Sequence, residues 1–167
     1  MTGRHKSDDL IHQAHKGRTY EQRLEDPYLE RGKWQEPSVC PDCNAIYHKG
    51  RWQWGEAAED AHPHRCPACS RIHDKIPAGF LTLQGDFVSG HKDEILHLIR
   101  NLETKEKAEH ALERIMAVDE EGDKITVSFT GAHLAKSSGD ALHHAYQGDL
   151  DIDFNERDAQ IRVAWSR

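Results

Sequence analysis

Long apolar runs are missing from this chain. Nowhere do the roughly 18 consecutive apolar residues needed to cross a bilayer occur, and the opening MTGRHKSDDLIHQ has no apolar stretch of the kind that directs secretion. The expectation is a soluble, cytoplasmic protein with no membrane partner. Aromatics are only 7% of the 167 residues, and 31% charged residues stand beside 37% hydrophobic ones. Such a chain can build one ordinary core and one small module that draws its stability from another source. Catalytic signatures are missing too: no GxxxxGK[ST] phosphate loop, HExxH or GxSxG occurs. Nothing in the sequence supports an ATPase or hydrolase, and the expectation is a protein that is not an enzyme. Cysteine is scarce, four in all. In a reducing compartment, four cysteines set as two CxxC pairs read as metal ligands or redox thiols rather than as a disulfide framework.

Positive charge is in short supply, and the deficit is local. The net charge of -7 argues against a simple nucleic-acid sponge, yet residues 1–36 carry seven basic and seven acidic groups, residues 37–75 five of each, and residues 76–167 ten basic against seventeen acidic. Three segments follow: a charged N-terminal arm (1–36), a cysteine-pair module (37–75) and an α+β unit (76–167), with a linker near Ile76-Pro77. The arm has no long 3.6-residue apolar face, and Pro27 interrupts any short helix. Its Arg4, Lys6, Lys16, Arg18, Arg23, Arg31 and Lys33, interleaved with Tyr20, Tyr28 and Trp34, suit phosphates and stacked bases if the arm is not simply a loose tail.

What the chain does have is Cys40-Pro41-Asp42-Cys43 and Cys66-Pro67-Ala68-Cys69. The two-residue spacing turns both sulfurs of a pair toward one ion, and two pairs complete a tetrahedral shell of four thiolates around Zn2+. Such a turn commonly ends in a left-handed residue, which Asn44 tolerates better than Ser70. The 22 residues between the pairs accommodate a hairpin around HKG, so the module reads as a zinc ribbon. A redox CxxC should follow a strand and open a helix within a βαβ pattern, which neither pair shows. The H-x-E of zinc deaminases is absent, and His62, His64 and His73 read as loop histidines rather than substitutes for a cysteine.

Lys49, Arg51, Arg65, Arg71 and Lys75 lie close in sequence to Trp52 and Trp54. Cations interleaved with aromatics form a candidate nucleic-acid surface; equally, the two tryptophans, two apart on one strand face, could supply the core that a small zinc module lacks.

From Ile76 the pattern is that of an ordinary globular unit. GFLTLQGDFV reads as a strand region. HKDEILHLIRNLETKEKA places Ile95, Leu96, Leu98, Ile99 and Leu102 on an amphipathic helix with Asp93 and Glu94 in its first turn. ERIMAV, the turn DEEGD and KITVSF form a hairpin. AHLAKSSGDALHHAYQ reads as a second helix burying Leu134, Leu142 and Ala145, with Gly139 its weak point, and DLDIDF as a strand burying Leu150, Ile152 and Phe154. The order βαββαβ is most simply closed as a ferredoxin-like split sandwich, to which AQIRVAWSR adds a C-terminal strand. Asp149, Asp151 and Asp153 form a row of carboxylates on the opposite face. They read as a solvated strand face that discourages edge pairing and meets Arg162, rather than as a cation cage. His143 and His144 point about 100° apart on a helix and read as surface residues.

The phrases EPSVCPDCNAIYHKGRWQW and HRCPACSRIHDKIPAGFLTLQG resemble a small uncharacterised bacterial family of zinc-ribbon proteins, over most of the chain from Glu36 onward. Members sometimes carry an ATPase label that these residues do not support. The layout, with FTGAHLAKSSGDALHHAYQGDLDI following the cysteine module, is more distantly similar to the core of the nuclear export adaptor of the large ribosomal subunit, whose SxKLAxKIAxxL phrase is matched loosely by 132–151. That adaptor has more cysteines and a basic character, which the acidic 76–167 segment does not share. The resemblance implies association with a ribosome or structured RNA, with a ribosomal protein as a further candidate partner. The alternative is a stress-related protein–protein adaptor that binds no nucleic acid, favoured by the negative charge and the long amphipathic helix.

Overall fold

The computed structural model describes Tyr28 and residues 34–167 other than 158, so the arm's basic residues and Tyr20 lie outside the described residues. Those described form a mixed α+β structure with two sheets and four helices. No helix among them is long and apolar enough to cross a membrane.

The smaller sheet is built around the first cysteine pair. Its strands β1 (Ser38–Val39), β2 (Ile46–His48), β3 (Arg51–Gln53) and β4 (His62–Pro63) lie in the order β3-β2-β1-β4. The HKG turn is a two-residue hairpin in which Lys49 and Gly50 both have positive φ, as the twist of paired strands favours. The Glu36 carboxylate accepts from both turn amides, Gly50 N at 2.8 Å and Lys49 N at 3.2 Å. After β4, helix α1 (Pro67–Asp74) starts with Cys66 as its N-cap and proline in its first turn.

The larger sheet comprises β5 (Gly79–Gln84), β6 (Ile115–Glu121), β7 (Lys124–Phe129), β8 (Asp149–Asn155) and β9 (Gln160–Ser166) in the order β6-β7-β5-β9-β8. Helices α2 (Asp86–Gly90), α3 (Lys92–Glu109) and α4 (Ala132–Tyr146) complete the unit. Two expectations are corrected here. The stretch GFLTLQGDFV is not all strand: Gly85, at φ 111, ends β5 and the chain turns into α2. The C-terminal strand is inserted within the sheet rather than simply added to a closed sandwich. In the simplest split sandwich β8 would pair directly with β5, but β9 occupies that position, parallel to β5 and antiparallel to β8. The reason is apolar content: Ile161, Val163 and Trp165 are all fully buried, whereas Leu150, Ile152 and Phe154 are only partly so. Asp153 sits opposite Arg162 in the ladder, and the edge strand carries the aspartate row outward.

One core joins Leu81, Leu83, Ile125, Val127 and Phe129 of the sheet to Ile95, Leu96 and Ile99 of α3 and Leu134, Ala135 and Leu142 of α4. Ala145, expected inside, is exposed. Gly139, the weak point of the helix by propensity, is also a site of close approach. A Cβ there would lie 2.5 Å from Val163 Cγ1 and 3.0 Å from Leu150 Cδ1. Gly139→Ala should therefore destabilise by about 1–3 kcal/mol despite the roughly 1 kcal/mol of helix propensity it gains, because overpacking outweighs propensity. Urea denaturation should show the loss, and Val163→Ala in the same chain should relieve part of it. A variant more stable than the parent would contradict this account of α4.

Candidate metal centre and its surroundings

Cys40, Cys43, Cys66 and Cys69 are brought together by two unlike turns. At the first, the Asn44 amide donates to Cys40 O at 2.9 Å and the Cys40 amide to Ala45 O at 2.8 Å, with Asn44 left-handed at φ 65. The expected left-handed exit is thus present at this pair. At the second the exit is helical instead: the Ser70 amide donates to Cys66 O at 2.9 Å and α1 continues. Backbone amides also reach the sulfurs, Cys66 N to Cys40 Sγ at 3.3 Å and Cys69 N to Cys66 Sγ at 3.4 Å. These N–H groups are oriented to support thiolates rather than thiols.

All four sulfurs lie within 4.8 Å of one another, and no disulfide joins them. Cys43 Sγ and Cys66 Sγ are 3.8 Å apart. A metal–sulfur bond of about 2.3 Å in a tetrahedron gives an edge of about 3.8 Å. The four residues are therefore positioned to bind one metal ion, and the protein alone can fill a four-coordinate shell.

A fifth residue reaches the cluster from the α+β unit. Arg114, at the entry to β6, directs Nη1 to Cys69 Sγ and Nη2 to Cys43 Sγ, each at 3.2 Å, with Cys66 Sγ 3.8 Å from Nη2. It is only 7% exposed. Burial pushes the Cys43 thiol up, but the Ala45 amide and the Arg114 guanidinium outweigh it and hold the thiol down at about 7. Burial prevails at Cys69, raising it to about 11 against the pull of Arg114, and at Cys66 burial pushes the thiol further up. Burial works against the charge of Arg114, yet hydrogen bonding to Cys43 and the nearby sulfurs reverse the effect and strengthen it. Reading the sequence missed this residue. Arg114 lies 45 positions from the nearest cysteine, and no spacing rule connects them.

The residues expected to form a nucleic-acid surface are dispersed. Lys49 and Arg51 are exposed at the β2–β3 hairpin and Lys75 is exposed at the end of α1. Arg65 is partly exposed and pairs with Asp42 at 2.6 Å. Trp52, however, is 6% exposed and packs in the ribbon core with Tyr47, Ala45 and Trp34. Arg71 is 4% exposed, donates to Ile76 O at 3.0 Å and lies over the Tyr28 ring. Neither presents itself outward as a surface contact should. Trp54 does not share the core with Trp52: it is 37% exposed, its indole N–H donates to Lys107 O at 2.6 Å, and its ring lies beneath Lys107 and Arg114. A cleft of about 520 Å³ is lined from both parts of the chain, by Trp34, Tyr47, Arg51 and Trp52 on one side and Gly131 and His133 on the other. His62, His64 and His73 stand outside the cysteine cluster.

Comparison with known proteins adds no relative to this geometry: no family model, no curated protein and no solved structure matches the chain, so its functional reading rests on the cysteine cluster and the residues around it.

Proposed function

We propose that the chain is a non-enzymatic zinc-ribbon protein, in which Cys40, Cys43, Cys66 and Cys69 hold one structural Zn2+ and the ribbon serves binding to RNA on a ribosome-related particle. The observation that carries the structural role is the convergence of four cysteines on one tetrahedral-sized site. Four protein ligands leave no position for a substrate or an activated water, whereas a catalytic zinc keeps one open. All-sulfur ligation favours zinc among the common divalent ions, with an iron–sulfur centre as its rival. The RNA reading is supported by the exposed Lys49, Arg51, Arg65 and Lys75 and by the aromatic cleft beside Arg51. The larger unit, with its acidic excess, would face solvent or a basic ribosomal protein.

Binding of the purified chain to ribosomes and to structured RNA across a salt series tests this reading. Arg51→Ala with Lys49→Ala and Lys75→Ala should weaken binding and flatten its salt dependence by about one unit of slope per lost phosphate contact. Asn at Asp149, Asp151 and Asp153 should leave binding equal or slightly tighter. Parent-like binding by the folded cation variant would reject the ribbon as the contact. The second reading, a protein–protein adaptor without nucleic acid, is favoured by the burial of Trp52 and Arg71, which removes two of the seven expected contacts from the surface. Salt-independent capture of a protein and no RNA binding would establish it.

A further inference from the structure

We propose that the metal centre is completed by the α+β unit: Arg114 is an outer partner of the four thiolates, and metal loading latches the ribbon onto the segment between α3 and β6. The inference rests on the metal-binding reading of the cysteines and deepens it. Arg114 is anchored on its own side, since its amide donates to Thr130 Oγ1 at 2.9 Å, its carbonyl accepts from Thr130 N at 2.9 Å, and its Nε donates to Ala111 O at 3.0 Å. From that fixed base the guanidinium fork spans two sulfurs, one from each cysteine pair.

A buried guanidinium needs anionic or strong acceptors, and none of the ion pairs among the described residues gives it a carboxylate. Neutral thiols are weak acceptors. Four thiolates around a divalent cation carry a formal surplus of two negative charges, and the guanidinium neutralises one of them while donating a charge-assisted N–H to each of two sulfurs. The contact is therefore stronger with metal bound than without it.

Other contacts converge on the same segment. Trp54, just beyond β3, bonds Lys107 O and lies beneath Arg114, while Ala111 and Leu112 pack into the ribbon core. Removing the metal leaves Arg114 buried against sulfurs that no cation any longer holds together as a fourfold thiolate cluster. The ribbon should then release the stretch from Lys107 to Ile115, free the Trp54 indole from Lys107 O and uncover Ala111 and Leu112. Metal occupancy would thereby decide which apolar surface the protein displays.

The test is hydrogen–deuterium exchange of the full chain, zinc-loaded and after chelation, alongside zinc affinity from competition with a chromophoric chelator. In the parent, chelation should speed exchange across 107–115 at least tenfold. Arg114→Met should weaken zinc affinity by about ten- to a hundredfold, the range typical of lost outer partners. It should also exchange fast across 107–115 even when loaded. Arg114→Lys, which keeps the charge but not the fork, should fall between the two. Parent-like affinity in Arg114→Met, or exchange in the parent that ignores chelation, would overturn the latch while leaving the metal site intact. A parent chain that takes up no zinc would overturn the metal reading and the latch with it. The parent experiment decides the matter even if the Met variant folds poorly.

Discussion

Replacing Cys66 with alanine should strip the chain of stoichiometric zinc and leave a ribbon that no longer holds its fold, while the α+β unit still melts cooperatively at a lowered temperature. Cys66 is a metal ligand in the proposed centre, and its sulfur also caps α1 by accepting from Cys69 N. The ribbon has little else to rely on. Its core is Cys40, Cys66, Cys69, Ala45, Tyr47, Trp52 and Ala68, with Ala111 contributed by the other unit, and that apolar area is too small to offset the entropy of ordering the segment. Structural zinc supplies on the order of 10–16 kcal/mol of apparent binding energy to such modules. The larger core contains no ribbon residue, so it should persist. Its melting temperature should nevertheless fall, because Cys43 and Cys69, which accept from Arg114, are no longer held around a metal, and a buried charge left uncompensated costs about 3–5 kcal/mol unless the side chain escapes to water. Elemental analysis and thermal unfolding followed by near-UV circular dichroism read both effects. One metal retained per chain, with an unchanged transition, would remove Cys66 from the centre.

The parts of this architecture that could be read from the sequence are those whose physics is local. Two CPxC turns declare a ligand set by spacing, and HKG declares a hairpin because Lys49 and Gly50 can both take positive φ. Ile125, Val127 and Phe129 announce β7 by alternation, and Ile95, Leu96 and Ile99 mark the buried face of α3. The helix opening at the second pair was signalled too, since Cys66 as a cap with Pro67 behind it is a helix start. Burial of Trp52 was one of the two readings the sequence left open, but burial of Arg71 was not legible, because an arginine suits a core and a binding face alike and the choice is made by what packs against it. Arg114 was beyond reach for a sharper reason. It reaches the cysteine cluster only because α3 and β6 deliver it there, and a contact between units leaves no periodicity in either segment.

Sheet order is the other nonlocal property, and it sets up the second large effect: deleting residues 160–167 should abolish folding of the α+β unit rather than trim it. β9 pairs with β5 from Gly79↔Ile161 to Gln84↔Ser166 and with β8 from Asp149↔Ser166 to Asn155↔Gln160. Without it, one flank of β5 is bare and β8 loses its only ladder among the described residues. Ile161, Val163 and Trp165 would vanish from the centre of the core, as would the bond from Trp165 Nε1 to Gln147 O at 2.8 Å and the one from Phe87 N to Arg167 O at 2.9 Å. Large-to-small changes at single buried positions cost about 2–5 kcal/mol each, and three together rival the roughly 5–15 kcal/mol that stabilises a typical domain. A strand added at the edge would behave differently, since its loss exposes one flank and little core. Asn at Asp149, Asp151 and Asp153 makes the contrast useful: on the actual edge strand it should barely change stability, but it should increase self-association by removing the charges that protect β8. Far-UV circular dichroism and gel filtration distinguish these outcomes. A truncated chain that unfolds cooperatively with its sheet signal intact would show that β9 is dispensable, and that its central position does not carry the unit's stability.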